Sequence, residues 1–135
     1  MKSYDAGPTE TPILEETIGA NFERIAATYP DHEALVDAPS GRRWTYAELD
    51  AEIDTVAKGL MAQGIERGDR VGIWAPNCPE WTIVQYATAK IGAILVNINP
   101  AYRTHELAYV LARTMAHNML GHPAALDFLR DARRH

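Results

Sequence analysis

The chain has 135 residues, of which 47% are hydrophobic and 23% charged, and this is the size and composition of one globular domain. Its formal net charge of −5 argues against a nucleic-acid-binding protein, because phosphate contacts need a basic surface. A single cysteine, Cys78, leaves no internal disulfide and favours a reducing compartment. The longest apolar run, residues 91–96, is too short to span a bilayer, so we expect no transmembrane segment and a cytoplasmic protein.

The first half of the chain is predicted to form a helix, a β-hairpin and a second helix. Residues 1–16 lack periodicity and indicate an extended lead-in. From Ile18 apolar residues recur at helical spacing until Tyr29-Pro30, where proline ends the helix. Residues 33–37 and 42–45 have the pattern of two strands joined by a turn.

The helix that starts at Thr45 has the strongest local signals. Thr45 and Glu48 have the spacing of a capping box, in which each side chain bonds the other residue's backbone N–H. Gly64 ends this helix. We expect its core face to contain Leu49, Ile53, Val56 and Leu60, and its solvent face Glu48, Glu52 and Asp54.

A strand, a helix and a second strand follow, and they predict a parallel β-α-β unit. Residues 70–74 form the first strand, and Pro79 occupies the favoured first turn of a helix that Gly92 ends. This helix is apolar nearly all round, so we expect it to be sandwiched between other elements. Residues 93–97 are continuously apolar, as in a central parallel strand. Thr104 is predicted to cap a last helix, whose apolar face contains Leu107, Val110 and Leu111.

The amino-acid sequence of residues 68–111 resembles that of a known enzyme family. It includes Gly-Asp-Arg-Val-Gly-Ile-Trp-Ala-Pro-Asn-Cys-Pro-Glu-Trp, then Ala-Lys-Ile-Gly-Ala-Ile-Leu-Val-Asn-Ile-Asn-Pro-Ala-Tyr-Arg, then His-Glu-Leu-Ala-Tyr-Val-Leu. This resembles the adenylate-forming enzymes, in particular AMP-forming acyl-CoA synthetases of the fatty-acid–CoA ligase type. The resemblance implies an α/β fold with a partial parallel sheet flanked by helices, corresponding to the first part of the large domain.

The resemblance covers residues 17–113, and residues 114–135 form a non-matching tail. In the family a further strand follows at this place, but residues 115–120 supply no convincing β-branched run. Histidine, arginine, alanine and proline are frequent in the tail. Two interpretations stay open: a frame-shifted or unrelated sequence, and a genuine divergent end in which residues 124–134 form a short helix.

The family's reaction activates a carboxylate with ATP and Mg²⁺ and passes the acyl group to CoA. By resemblance it uses a Ser/Thr-Gly-rich loop ending in Pro-Lys-Gly, a Tyr-Gly-x-Thr-Glu motif and a Thr-Gly-Asp motif. None of these motifs occurs in the 135 residues. We therefore expect no cofactor and no catalytic residue in this chain, and interpret it as a truncated, inactive fatty-acid–CoA ligase of lipid metabolism.

The loops that follow the two parallel strands are the best binding candidates. Open α/β sheets bind ligands at the carboxyl ends of their strands, and Asn77, Asn97 and Asn99 lie there. Asparagine is also a common turn residue, so a structural role is the alternative. If these side chains contact a ligand, we expect them to line an acyl pocket.

The remaining residues that could bind a ligand or react are better explained by structural roles. Cys78 precedes a helix whose dipole could lower its pKa, yet a structural role is favoured. The spacings of His105-Glu106 and of His117, His122 and His135 match no metal motif, so no metal site is expected. Core packing explains the tryptophans (Trp44, Trp74 and Trp81), and turns or packing explain the glycines (Gly64, Gly68 and Gly72).

Three functional hypotheses follow, of which the inactive ligase fragment ranks first. The second is a small non-catalytic module that binds acyl chains or a partner. The third is one half of a split ligase, in which a second chain supplies the missing motifs. For the fragment we expect an unpaired strand edge, an exposed apolar helix side and marginal stability.

Overall fold

The computed structural model describes Gly7, residues 14–114 and the backbone of residues 118–121. The elements alternate between helices and short strands in the order expected for an α/β protein. They are α1 (Ile18–Thr28), β1 (Glu33–Asp37), β2 (Arg42–Thr45), α2 (Tyr46–Ala62), β3 (Arg70–Trp74), α3 (Pro79–Ile91), β4 (Ile94–Ile98), α4 (Thr104–Thr114) and β5 (Asn118–Gly121). The predicted fold class is confirmed.

The helix ends follow the local signals. Thr17 caps α1 by accepting a bond from the N–H of Ala20, and the capping box of Thr45 and Glu48 at the start of α2 is complete. Pro79 lies in the first turn of α3, and Gly92 ends that helix with φ 74°. The last helix differs from the prediction: it begins at Thr104 itself, and the carboxylate of Glu106 accepts the N–H of Arg103.

Two sheets form among the described residues. β1 and β2 pair antiparallel as the predicted hairpin, while β4, β3 and β5 form a parallel sheet in that order. The strand predicted over residues 93–97 is present as β4, shifted by one residue to Ile94–Ile98. Among the described residues it lies at one side of β3, whereas a central position was predicted. Ile94 is 47% exposed there. Continuous hydrophobicity therefore did not distinguish a central strand from an outer one.

The tail contributes a strand that the sequence did not predict. β5 pairs in parallel with β3, and Gly121 lies opposite Trp74 in the register. The residues of β5 include no β-branched side chain, so its intrinsic preference for a strand is weak. Pairing with the buried strand β3 overrides that weak preference, as tertiary context often does in sheets.

A large hydrophobic core lies between the sheet and the first three helices. Here α3 packs against both α1 and α2, which confirms that it is sandwiched. Phe22 of α1 contacts the rings of Tyr46 and Tyr86, with centroids 6.1 Å and 4.4 Å away. The buried members of this core are Phe22, Ala26, Leu49, Ile53, Ala57, Leu60, Ile65, Val71, Ile83 and Ala87.

A small second core lies between the sheet and α4. Its buried members are Trp74, Ile98 and Leu107. Val110 and Leu111 of α4 pack around them, as predicted. Successive residues of β3 point to opposite faces, which is why Val71 belongs to the large core and Trp74 to the small one.

Two acidic residues expected on the solvent face of α2 have partners within the fold. The indole N–H of Trp44 donates to Glu52. Asp54 lies 2.6 Å from the ammonium of Lys90, which also contacts Asp50 at 2.8 Å and Glu23 at 3.0 Å. The side chain of Lys90 is only 10% exposed. Asp54 keeps 44% of its side-chain surface exposed and Glu52 is half-buried, so both still reach water as expected. Each also has a partner that helical periodicity does not show.

Candidate functional site

The carboxyl end of the parallel sheet carries two loops, residues 75–78 after β3 and residues 99–103 after β4. Each loop is held by an indole N–H: Trp81 donates to the carbonyl of Ala75 at 3.2 Å, and Trp74 donates to the carbonyl of Asn99 at 3.0 Å. Side-chain bonds to backbone carbonyls fix loop geometry and remove the desolvation cost of a buried indole. The two tryptophans thus pack in the fold, as predicted, and also fix the candidate site.

The three candidate asparagines lie at this edge, and all are exposed. Asn77 belongs to the loop after β3, whereas Asn97 belongs to β4 itself, where it pairs with Ile73. The side-chain oxygen of Asn99 accepts the N–H of Ala101 at 2.9 Å, which is a common turn bond. This bond supports the structural role of Asn99; ligand contact by any of the three stays a prediction.

A pocket of about 610 Å³ lies beside the loop after β3. We call it the α2–α3 groove, because the two helices form its sides and Ile73 of β3 contributes to its lining. Ala75 and Pro76 line it at the loop. None of the three candidate asparagines is among its lining residues. The lining also includes Val56, Gly59 and Leu60 of α2, Cys78 just before α3, and Val84 of α3.

Cys78 lines the groove at the N-terminus of α3. Burial raises the pKa of its thiol, the backbone N–H of Trp81 opposes this rise, and the nearby Glu80 carboxylate adds to it. Burial and the neighbouring anion thus outweigh any lowering of the pKa that the helix N-terminus could cause. A thiol with a raised pKa is a poor nucleophile at neutral pH, which agrees with a structural cysteine.

Two charged side chains at the rim of the groove form an ion pair. Arg42 of the hairpin donates to Glu80 at 2.8 Å, and its guanidinium lies 5.1 Å from the ring of Trp44. A bond from its own backbone N–H and the bond from Arg42 lower the pKa of Glu80. Both side chains of the ion pair are about half exposed, so the pair orients the hairpin and contributes little to stability.

Metal chemistry finds no support in the part of the chain that the structure describes. Within residues 14–114 no group of three or more His, Cys, Asp or Glu side chains could hold a metal ion. His105 is exposed in the first turn of α4, beside Glu106. His117, His122 and His135 lie outside the described residues.

Gly64 and Gly68 occupy turns with φ of 85° and 91°, and Gly72 lies within β3, as the turn-or-packing interpretation predicts.

Two features of this region were not found from the sequence. The α2–α3 groove depends on the distance between two helices, which no local pattern encodes. The cluster around Lys90 joins three helices, and its only sequence signal is a lysine in an otherwise apolar helix.

No helix of the described residues is long and apolar enough to cross a membrane.

Comparison with known proteins identifies the family. The family model described as "AMP-binding enzyme" matches residues 22–134. The chain therefore belongs to the AMP-binding enzyme family, which confirms the resemblance seen in the sequence. The match extends past Arg113, where the resemblance was expected to stop. The boundaries of the lead-in and the tail stay predictions.

Related proteins agree with this family. The chain is 45% identical over 111 residues to the mitochondrial medium-chain acyl-CoA ligase ACSF2 of Macaca fascicularis, covering 82% of this chain and 18% of the relative. It is 45% identical over 114 residues to the acyl-CoA ligase sidI of Aspergillus fumigatus, covering 84% of this chain and 19% of the relative. The chain thus spans less than one fifth of the length of either relative.

A solved structure resembles the fold closely. The N-terminal domain of FACL13 from Mycobacterium tuberculosis superposes with a TM-score of 0.83 at 28% sequence identity. The match covers 88% of this chain and 30% of that domain. The architecture described above is therefore that of an N-terminal domain of an adenylate-forming enzyme, in part.

Proposed function

We propose that this chain is the N-terminal portion of a fatty-acid–CoA ligase and that the 135-residue polypeptide is inactive by itself. The observation that carries the proposal is the family match over residues 22–134, together with the similarity to the N-terminal domain of FACL13. The relatives named above are acyl-CoA ligases, which supports the reaction class. A complete enzyme of this type would use a fatty acid, ATP, Mg²⁺ and CoA in lipid metabolism.

The inactivity follows from the residues present. Adenylation needs backbone amides and a cation placed around the phosphates, and a lysine that reaches the reacting carboxylate. The sequence holds three lysines, and of the two within the described residues Lys90 is committed to three carboxylates. Lys58 is exposed on α2 beside Asp54. Neither lies in a Gly-rich loop, so neither is placed to bind phosphate.

The role left for this portion is structural. Its parallel sheet and the three helices on one face would form one side of the large domain, and the loops at the carboxyl edge would face the ligand site. Asn77, Asn97 and Asn99 would then contribute to the wall of the acyl pocket. Each of these side chains is exposed and available for such contacts.

ATP–pyrophosphate exchange with medium- and long-chain fatty acids tests the inactivity. A complete fatty-acid–CoA ligase serves as the positive control, and the purified 135-residue chain should give no exchange above the protein-free background. Exchange that saturates with fatty acid and scales with the amount of chain would contradict the proposal.

A chimera tests the assignment to a ligase. Residues 22–113 would replace the corresponding segment of the acyl-CoA ligase sidI, to which this chain is 45% identical. The chimera should retain fatty-acid-dependent exchange. A chimera that folds and binds ATP but exchanges with no carboxylate would count against the assignment.

The second candidate function is a small acyl-binding module, and the α2–α3 groove is the observation that favours it. Its volume of about 610 Å³ is within the usual range for small-molecule sites, and Val56, Leu60 and Val84 give it apolar walls. Saturable binding of decanoate by the folded chain, abolished by Gly59→Trp and retained by Lys58→Trp, would support it. Absence of binding by the unmodified chain would remove it.

The third candidate is one half of a split ligase, with a second chain that supplies the phosphate loop and the mobile lysine. It is proposed because the 135 residues contain no Ser/Thr-Gly-rich loop ending in Pro-Lys-Gly. Co-purification of the tagged chain from its native cells should then recover a polypeptide that contains a Pro-Lys-Gly loop. Recovery of the chain alone would argue against this candidate.

We also propose that the protein is cytoplasmic. The single cysteine supports a reducing compartment. The ACSF2 relative carries a mitochondrial designation, which makes the mitochondrion the main alternative. Cell fractionation followed by immunoblotting should find the chain with cytosolic markers, and enrichment with matrix markers would contradict this.

A further inference from the structure

The α2–α3 groove has apolar walls and one charged side chain. Among the described residues that line it, Glu80 is the only aspartate, glutamate, lysine or arginine. The side chain of Glu80 is 51% exposed, which places its carboxylate at the rim. The walls are formed by Val56, Leu60, Ile73 and Val84. A groove of this kind selects its ligand by charge as well as by shape, because few polar groups determine specificity in an apolar site.

The carboxylate of Glu80 already holds the donors at its end of the groove. Its own backbone N–H at the start of α3, the guanidinium of Arg42 and the thiol of Cys78 all donate to it, and these bonds lower its pKa. Glu80 is therefore ionised at neutral pH. A helix N-terminus and a guanidinium are the groups that would otherwise bind the carboxylate of a ligand. Glu80 thus takes the place of an anionic head group.

The second polar side chain of the lining carries no charge. Gln63 follows the last residue of α2, is exposed and lines the groove. Its carboxamide offers both donors and an acceptor, so it can bond the carbonyl of an ester, a thioester or an amide. The polar groups of the groove therefore suit a neutral head group better than an anion.

The groove is open along α2 because of a glycine. Gly59 lies in the interior of this helix, where glycine is a poor helix former. A Cβ added to it would meet nothing within 4 Å, so no contact among the described residues requires the small residue. A hydrocarbon chain can therefore lie directly against the helix backbone at this position.

We propose that the α2–α3 groove binds neutral acyl compounds, namely acyl esters, thioesters or amides, in preference to the free fatty-acid anion. The hydrocarbon chain lies along Gly59 between the apolar walls, and the neutral carbonyl accepts a bond from Gln63. Glu80 disfavours the anion, because it repels a second carboxylate and keeps Arg42 from pairing with it. This inference rests on the acyl-binding module, the second candidate function above, and names its class of ligand.

Calorimetric titration of the folded chain with octanamide and with octanoate at neutral pH tests the preference. The two compounds carry the same hydrocarbon chain and differ in the charge of the head group. Octanamide should bind about fivefold more tightly than octanoate, because the anion meets the Glu80 carboxylate. Glu80→Gln keeps the shape of the side chain without its charge and should bring the two affinities within about twofold of each other.

The matched control is Glu33→Gln. Glu33 also forms an exposed ion pair with an arginine of the hairpin, Arg43, but it does not line the groove. This variant should keep the preference for octanamide. Equal affinities for the two compounds in the unmodified chain, or a preference that persists in Glu80→Gln, would overturn the inference and leave the acyl-binding candidate intact. Binding of neither compound would remove both.

A second pair of variants tests where the ligand lies. Gly59→Leu fills the groove and should weaken the binding of both compounds by about tenfold or more. Lys58→Leu adds a leucine one residue away, at a position that does not line the groove, and should leave both affinities within about twofold. Equal effects of the two variants would place the ligand outside the groove and overturn the inference. Circular dichroism establishes that each variant is folded.

Discussion

The two faces of the three-stranded sheet have cores of very different size. Among the residues that the structure describes, ten buried ones from three helices, β3 and the segment before it pack together on one face, whereas three pack under α4 on the other. The hydrophobic contribution to folding is roughly proportional to the apolar area removed from water. We infer from this difference that the packing of α1, α2 and α3 supplies most of the stability of this portion of the domain. The folding of α4 and β4 then requires the large core to be formed.

Deleting a side chain at the centre of the large core should have the greatest effect. Ile53 is fully buried between α2 and its neighbours. We expect Ile53→Ala to lower the free energy of unfolding by about 4 kcal/mol, because a cavity remains in rigid surroundings. Urea denaturation followed by circular dichroism measures this. A loss below about 1 kcal/mol would contradict the assignment of this core as the main one.

The matched substitution in the small core should cost less. Leu107 is also buried, at 1% exposure, but fewer elements surround it. We expect Leu107→Ala to cost about 2 kcal/mol, near the lower limit for such changes, because α4 can relax into the space. Urea denaturation of the two variants side by side gives the comparison. A cost equal to or above that of Ile53→Ala would invert the order of the two cores.

Replacing Lys90 by methionine should cost about 1–2 kcal/mol, because three carboxylates lose their shared cation while remaining partly hydrated. The control is Lys58→Met, whose ammonium is 72% exposed and lies 3.7 Å from Asp54. That variant should change stability by less than about 0.5 kcal/mol. Equal effects of the two variants would show that burial of Lys90 has no energetic consequence.

The pH dependence of the same pair of variants is an independent test. Burial alone would lower the pKa of Lys90, but its bonds to Asp50, Asp54 and Glu23 raise it, and the bond to Lys90 lowers the pKa of Asp54. The Asp54 contribution is therefore present above its ordinary value of 3.8 and is lost as pH falls through the depressed folded value. The Lys90 contribution is present below 10.5 and is lost as pH rises through the raised folded value.

We therefore expect the stability of Lys90→Met to fall less steeply than that of the unmodified chain as pH drops below about 4. Thermal unfolding at a series of pH values measures the two slopes. Parallel slopes would mean that Lys90 does not lower the pKa of Asp54.

The smallest effect is expected at the helix cap. Thr45→Ala removes one half of the capping box of α2 and should cost about 1 kcal/mol. Thr55→Ala, at an exposed position within the same helix, is the control, and it should be neutral within about 0.5 kcal/mol. Urea denaturation distinguishes the two, and an equal response would contradict the role of the cap.

Local signals predicted most of the fold. The capping residues Thr45 and Glu48, and Gly92 with its positive φ, determine where helices start and end through their own backbone chemistry. The order of the strands could not be read in the same way. Residues 94–98 are apolar except for Asn97, and this pattern fits a central or an outer strand equally well. Among the described residues, pairing on both sides of β3 makes β3 the central strand and leaves β4 at one side.

The candidate site was predicted less well. The loops at the carboxyl edge were located correctly, because parallel strands bring their ends together. The hydrogen-bond partners of Trp81 and Lys90 were not predicted. Trp81 and Ala75 are six residues apart and meet through a loop, whereas Lys90 of α3 meets Asp50 and Asp54 of α2. Such bonds depend on how helices pack, and a single sequence does not encode that distance in any local pattern.

Native-state hydrogen exchange can show whether the large core is more stable than the small one, since it compares the two faces of the sheet within one molecule. Amides of α2, α3 and β3 should exchange only through global unfolding, whereas those of α4 should exchange through a smaller, local opening. Added denaturant should therefore accelerate exchange strongly in the first group and weakly in the second. Equal protection and equal denaturant dependence in both groups would show that the two cores are one cooperative unit and would contradict the account.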